Sequence, residues 1–329
     1  QFIIFINFNK NYKVNYFIYL MSILEKYYDY KSYKECKNIF KTYSKSYYLG
    51  SMIFPFEKFI HICAFYGLVR VADNIVDSKN LSENEKCEKL NEFIENFFNI
   101  YDLKDEDYKI IKNNNKFWCK YHDIFRALFK TIKEIKLERQ LFERFFKSMK
   151  MDLEKYNYQT YWELEKYIDG SAAVIGEVML KIMMYKDDYY VRNPYNSSER
   201  FEFTKQNRMS YANLLGNSFQ MTNFIRDIRE DYNMNPRRIY LPLEEINVYK
   251  LNFEKYNDEG VVDINFKEFI TEQISRNKVL YTFSDIGINM LSPNDRAAIK
   301  LSRILYSRIL DKIEEKDYEL FAPEKIKVG

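Results

Sequence analysis

From Ser22 onward, apolar residues recur at helical spacing in one segment after another. Residues 32–43 open the series, and Ser44-Lys45-Ser46 interrupts it with small polar side chains. Residues 56–76 follow as a long apolar helix. Ser82 is placed to cap the next helix, with Glu85 three residues on to complete a capping box, and residues 89–99 continue it. Residues 101–116 are charged and rich in Asn, and predict a connection. Amphipathic helices are predicted over 117–133 and 138–155, and a third over 160–184. The third contains Gly170-Ser171-Ala172-Ala173 and Gly176. Glycine in mid-helix costs about 1 kcal/mol, so a close approach is expected there, either by a neighbouring helix or by a ligand. Residues 186–198 predict a loop and 209–232 a helix. Asn235-Pro236 breaks that helix before an extended basic-aromatic stretch over 237–242, and helices over 266–290 and 295–316 close the chain.

With only 8 Gly and 6 Pro in 329 residues, long helices with short connections are the expectation. No repeat or composition break divides them. The expected architecture is all-α: one helical bundle over 22–329, with 1–21 set apart as a leader that ends at an expected start, Met21. A net charge of +3, with Lys and Glu interspersed, argues against a nucleic-acid surface. Aromatic residues reach 18%, with 30 Tyr and 27 Phe. Most of that is the mark of an AT-rich coding sequence, leaving function to a few placed tyrosines. Cys36, Cys63, Cys87 and Cys119 form no CxxC and read as reduced. With His61 and His122 the only histidines, neither a zinc site nor a His-based hydrolase is expected. No glycine-rich nucleotide fingerprint occurs. No uninterrupted apolar run reaches 18 residues, so an integral membrane protein is not expected.

Two aspartate pairs change the picture. Asp73 and Asp77 stand in Arg70-Val71-Ala72-Asp73-Asn74-Ile75-Val76-Asp77, and Asp227 and Asp231 in Asn223-Phe224-Ile225-Arg226-Asp227-Ile228-Arg229-Glu230-Asp231. Positions i and i+4 share a helix face, so each pair aims two carboxylates at one place. Like charges there repel and call for a cation, and Mg²⁺ is the ion that such oxygen donors suit, with Mn²⁺ an alternative. Asn223, Asp227 and Asp231 form a polar stripe with Gln220 behind it, on a helix whose other faces carry Leu214, Leu215, Phe219 and Phe224. That stripe faces water or a polar ligand, and its apolar surroundings favour the ligand. Ser44, Lys45, Arg70, Arg226, Arg237 and Arg238 supply donors of the kind that phosphate oxygens accept. Carboxylate pairs with such cations near them predict a site for a pyrophosphate group.

Several motifs now resemble those of the squalene/phytoene synthase family, in order along roughly 35–321. They are Tyr43-Ser44-Lys45-Ser46-Tyr47-Tyr48-Leu49-Gly50, Tyr66-Gly67-Leu68-Val69-Arg70 through Asp77, and Tyr167-Ile168-Asp169-Gly170-Ser171-Ala172-Ala173. Further on come Gln220-Met221-Thr222-Asn223 through Asp231, Arg238-Ile239-Tyr240-Leu241-Pro242, and Tyr306-Ser307-Arg308. The resemblance implies an isoprenoid synthase-type bundle around a central apolar cavity. It also implies head-to-head condensation of two farnesyl or geranylgeranyl diphosphates through a cyclopropyl-carbinyl diphosphate. In that reading Asp73, Asp77, Asp227 and Asp231 hold Mg²⁺. Ser44, Lys45, Arg70, Gln220, Asn223, Arg226 and Arg238 grip the diphosphates. Tyr66, Tyr240 and Tyr306 contact diphosphate or the departing group, while Tyr47 and Tyr167 face the reacting carbons. Ser171 stands where relatives commonly have an apolar residue, a polar spot expected in the tail pocket.

The motifs lie closest to the phytoene-type branch, which ends by losing a proton. A squalene synthase using NADPH, a terpene cyclase of the same fold and a non-catalytic assembly scaffold remain open at this point. A monomer or weak dimer is expected, in the cytoplasm or an organelle matrix, touching a membrane only peripherally to release product.

Overall fold

The computed structural model describes residues 30–104, 121–191 and 198–324. The leader over 1–21, most of the connection over 101–116 and the first residues of the 117–133 helix lie outside them. The described residues form α1 (Tyr30–Tyr43), α2 (Lys45–Ser51), α3 (Phe56–Val76), α4 (Glu83–Tyr101), α5 (His122–Ile135), α6 (Arg139–Glu154) and α7 (Tyr161–Ile168). A π-helical turn, Asp169–Ala173, leads into α8 (Val174–Met184). Then come α9 (Asp188–Val191), α10 (Ser198–Arg226), α11 (Ile228–Tyr232), α12 (Leu243–Val248), α13 (Phe253–Glu259), α14 (Ile264–Asn289) and α15 (Pro293–Glu315). Among the described residues pairing of β type is confined to one isolated bridge, Asn157 to Ile239. That bridge fixes the extended stretch after α11, with Ile239 N–H donating to the Tyr156 carbonyl at 2.8 Å.

Helix α3 is the spine. Its residues are apolar almost all round, as a helix surrounded by others requires, and Phe59 through Phe65, Leu68, Val71, Ala72 and Val76 are buried. Its length and hydropathy would let it cross a membrane, yet most of it is buried among its neighbours, as a core helix is. The capping box forms as predicted: Ser82 accepts from Glu85 N–H, and Glu85 reaches back to Ser82 N–H at 2.8 Å.

Two predicted helices prove segmented. The one expected over 160–184 carries the π turn at its glycine-serine stretch. The one expected over 209–232 begins earlier, at Ser198, and is interrupted at Asp227. Its hydrogen bonds nevertheless run through the interruption, Asp227 N–H to Asn223 at 2.8 Å and Asp231 N–H to Asp227 at 2.9 Å. The i, i+4 register of the second aspartate pair is thereby kept.

The small residues around the π turn let helices meet at backbone distance. A Cβ on Gly176 would lie 2.3 Å from the Ala212 carbonyl oxygen, and one on Gly216 would lie 2.4 Å from that of Ala172. Close packing by a neighbouring helix therefore accounts for these glycines. Ser171, Ala172, Ile175 and Gly176 also line the central cavity.

At the start of α3 a buried ionic cluster ties three parts of the chain. Lys58 donates to Asp187 at 2.6 Å and to Asp295 at 2.8 Å. Tyr190 and Ser292 hydroxyls also donate to Asp295, at 3.0 and 2.9 Å. Lys58 stands at the start of α3, at the end opposite Asp73 and Asp77.

Candidate active site

A cavity of about 510 Å³ runs between α3, α8, α10, α14 and α15. Asp73, Asp77, Asp227 and Asp231 all line it, so two segments some 150 positions apart bring their carboxylates to one place. Gln220, Asn223, Arg238 and the predicted tyrosines Tyr47, Tyr66, Tyr167, Tyr240 and Tyr306 line it too. Ser44, Lys45, Arg70 and Arg226 stand outside the lining.

Burial is the largest influence on Asp73 and pushes its carboxyl up to about 7, with Asp77 and Asp152 adding to the shift and Arg70 opposing it. Asp77 sits at the C-terminus of α3, half-exposed, with Arg238 at 3.7 Å. Across the cavity Arg226 clasps Asp227 in a bidentate pair, Nε to Oδ1 at 2.8 Å and Nη2 to Oδ2 at 2.5 Å. Burial alone would lower the Arg226 pKa, yet its hydrogen bond with Asp227 raises it overall. Arg70 lies over the Tyr43 ring at 4.4 Å, and its buried Nε has no partner. Asn223 donates to Gln220 at 3.3 Å while its own carbonyl oxygen is buried without a donor. Unpaired groups of this sort beside carboxylates suit a ligand rich in oxygen.

Asp152 is the functional residue that sequence reasoning missed. It projects from α6 into the cavity, 5% exposed. Tyr167 donates to its Oδ2 at 2.8 Å and Tyr240 to its Oδ1 at 3.1 Å. Arg238 donates to its backbone carbonyl at 3.0 Å and to the Tyr240 oxygen at 3.2 Å. Burial pushes the Asp152 carboxyl up to about 6, against Arg238 and the two phenols, which favour its charge. A signal was present: Leu141, Phe145 and Met149 mark the buried stripe of α6, and Asp152 falls on that same face.

Two groups of aromatic rings flank the carboxylates. Tyr306 stacks on Tyr47 at 5.0 Å and meets Phe219 at 4.6 Å. Tyr240 stacks on Phe224 at 4.3 Å, with Tyr167 beside it at 5.6 Å. Desolvation raises the Tyr47, Tyr167 and Tyr240 phenols well above their ordinary pKa, so they stay neutral.

Five carboxylates at one end of a largely apolar cavity form a donor set of hard oxygens. Among the described residues, however, no three Asp, Glu, His or Cys side chains already converge closely enough to hold an ion. Arg226 is paired with Asp227, and Arg238 lies 3.7 Å from Asp77.

A family model for squalene/phytoene synthases matches residues 40–329. Phytoene synthase from Arthrospira platensis is 29% identical over 293 residues, covering 88% of this chain and 86% of that protein. The 15-cis-phytoene synthase of Synechococcus elongatus is 28% identical with the same two coverages. A chloroplastic phytoene synthase from Daucus carota is also 28% identical, with this chain spanning 65% of its length. Among solved structures, a dehydrosqualene synthase superposes with a TM-score of 0.69 at 21% identity, covering 90% of this chain and 89% of that one. A squalene synthase from Alicyclobacillus acidocaldarius does so with a TM-score of 0.68 at 18% identity, covering 88% and 95%.

Proposed function

The chain belongs to the squalene/phytoene synthase family, and from that premise we propose that it joins two allylic prenyl diphosphates head to head in an Mg²⁺-dependent reaction that ends, without a reductant, on a phytoene- or dehydrosqualene-type hydrocarbon. One observation carries the reading. A single cavity is lined by both aspartate pairs and Asp152 and offers a mostly apolar wall beyond them.

Two diphosphates add negative charge to a wall that is already acidic, so a divalent cation is required to make binding favourable. Asp73, Asp77, Asp227 and Asp231 would hold it. Burial, with neighbouring carboxylates adding to it, raises the Asp73 and Asp152 carboxyls. When bound, the cation neutralises diphosphate oxygens and makes pyrophosphate a better leaving group.

The chain's own residues supply the remainder. Arg238, Gln220 and Asn223 present donors at the carboxylate end, and Arg70 waits nearby without a carboxylate of its own. Once one allylic C–O bond breaks, the positive carbon lies among Tyr47, Tyr306 and Phe219 on one side and Tyr167, Tyr240 and Phe224 on the other. Each aromatic face lowers the energy of such a cation by roughly 0.5–2 kcal/mol. Asp152 fixes the Tyr167 and Tyr240 rings through their hydroxyls, so these faces are set before substrate arrives. The double bond of the second chain then attacks, loss of a proton closes the ring of a cyclopropyl-carbinyl diphosphate, and its own ionisation and rearrangement end with loss of a second proton. Burial of both tails excludes the water that would trap the cation. The apolar wall offers about 0.8 kcal/mol for each carbon it covers.

Phytoene synthases among the relatives by sequence support the ending by proton loss. Exposed Leu49 and Met52 beside α2, and Leu301 and Ile304 on α15, support peripheral membrane contact when an apolar product leaves. The test of metal dependence is turnover of geranylgeranyl diphosphate after treatment with EDTA. Activity should vanish and return with Mg²⁺, while Asp227→Asn should need far more Mg²⁺. Full turnover by metal-stripped protein would contradict the reading.

A further inference from the structure

The far end of the cavity holds a charge that the condensation does not use. Arg208 lines the cavity at 4% exposure, its Nε is buried without a partner, and among the described residues no carboxylate pairs with it. Its guanidinium carbon lies 5.1 Å from the centre of the Tyr190 ring. Asp187 and Asp295 both hold Lys58. Arg208 and Arg226 lie on one helix, α10, ~27 Å apart at ~1.5 Å per residue. Lys58, at the start of α3, lies 5.9 Å from the same Tyr190 ring. Arg208 therefore stands at the Lys58 end of the bundle, and the aspartates stand at the other. Between the two ends, the Ser171 hydroxyl is also buried without a partner and lines the same cavity.

An uncompensated buried cation is costly, and a guanidinium does not shed its proton to escape the cost. Its planar fork matches a carboxylate in two parallel hydrogen bonds. We propose that this distal end is a carboxylate site, in which Arg208 recognises the acid group at the end of an apolar chain lying along the cavity. The inference rests on the cavity's being a site for an apolar chain. A chain of ~16 carbons spans ~18 Å at ~1.2 Å per bond, the advance per bond of an extended polypeptide. That fits between the two ends with room for the head groups. The acid has two sources, a free fatty acid that occupies the cavity and excludes prenyl chains, or a prenyl diphosphate carboxylated at its far terminus.

The test uses the full chain with palmitate and hexadecanol, measured by titration calorimetry, which needs no turnover and so stands apart from the synthase reading. Palmitate should bind at least tenfold more tightly than hexadecanol. Arg208→Met, shown by its melting curve to be folded, should remove that preference, and Arg208→Lys should keep part of it. If Arg208→Met does not fold, the wild-type preference and the Arg208→Lys value still decide. A second arm compares turnover of farnesyl diphosphate with that of its ω-carboxylated analogue. Preference for the analogue identifies a substrate terminus, and palmitate binding that competes with farnesyl diphosphate identifies a free acid. Equal binding of palmitate and hexadecanol, untouched by Arg208→Met, with no preference for the analogue, would overturn the proposal.

Discussion

Replacing Asp152 by Asn separates the work of this residue in the fold from its work in the reaction. The side chain keeps its shape but loses its charge and one of two acceptor oxygens. Tyr167 and Tyr240 each donate to one oxygen of the native carboxylate, so one phenol is left without an acceptor, at a cost of about 1–3 kcal/mol. Against that, the native carboxyl is pushed up to about 6 from 3.8. At ~1.4 kcal/mol per pKa unit, ionising it in place costs roughly 3 kcal/mol, which the amide avoids. The two terms nearly cancel, so the melting temperature should move by only a few degrees. Activity should not be spared. The freed phenol lets the Tyr167 or Tyr240 ring turn, and Arg238 loses an adjacent charge that helps orient it. A loss of about 1–3 kcal/mol in transition-state binding corresponds to a roughly 5- to 150-fold fall in kcat/KM. Steady-state kinetics with geranylgeranyl diphosphate, beside thermal melting of the same preparation, measures both. Unchanged kcat/KM with unchanged stability would refute the role given to Asp152, as would a loss of activity fully explained by unfolding.

Two further outcomes follow from the charge distribution. Asp73 and Asp152 have folded pKa values of about 7 and about 6, above their ordinary 3.8. Raised values contribute stability that is present below pH 4 and lost as pH climbs through 6 to 7. Metal-free protein should therefore melt lower at pH 8 than Asp73→Asn does, relative to their melting at pH 5, and Mg²⁺ with pyrophosphate should close the gap; parallel curves for the two proteins would argue against it. At the other end of the bundle, Lys58→Met leaves Asp295, which is fully buried, with only the hydroxyl donors of Tyr190 and Ser292. Urea unfolding should show a loss of about 3–5 kcal/mol, partly recovered in Lys58→Met/Asp295→Asn. A loss under 1 kcal/mol would mean that the cluster contributes little.

The sequence carried what local geometry dictates. The aspartate pairs were legible because i, i+4 spacing needs no tertiary information, and the bounds of α3 followed from its largely apolar character. Asp152 was obscured because its meaning depends on Tyr167, Tyr240 and Arg238, which reach it from other parts of the chain, and a lone acid near a helix end usually faces water. Arg226 was read as a diphosphate ligand from its motif; its clasp on the adjacent Asp227 depends on side-chain direction, which spacing does not reveal. The break at Asp227 was hidden for the reverse reason, since the hydrogen bonds that continue across it preserve the register from which the helix was read. Arg208 lay in a polar stretch before the second aspartate pair, and only the packing of Tyr190 and Lys58 makes its isolation visible.

The most direct measurement is the product itself. Purified protein with Mg²⁺ and either farnesyl or geranylgeranyl diphosphate, with and without NADPH, should release pyrophosphate and yield a linear C30 or C40 hydrocarbon by mass spectrometry. That product should appear regardless of NADPH and disappear in Asp73→Ala and Asp227→Ala. A cyclic product from a single chain, or folded protein that turns over neither substrate, would contradict head-to-head synthesis.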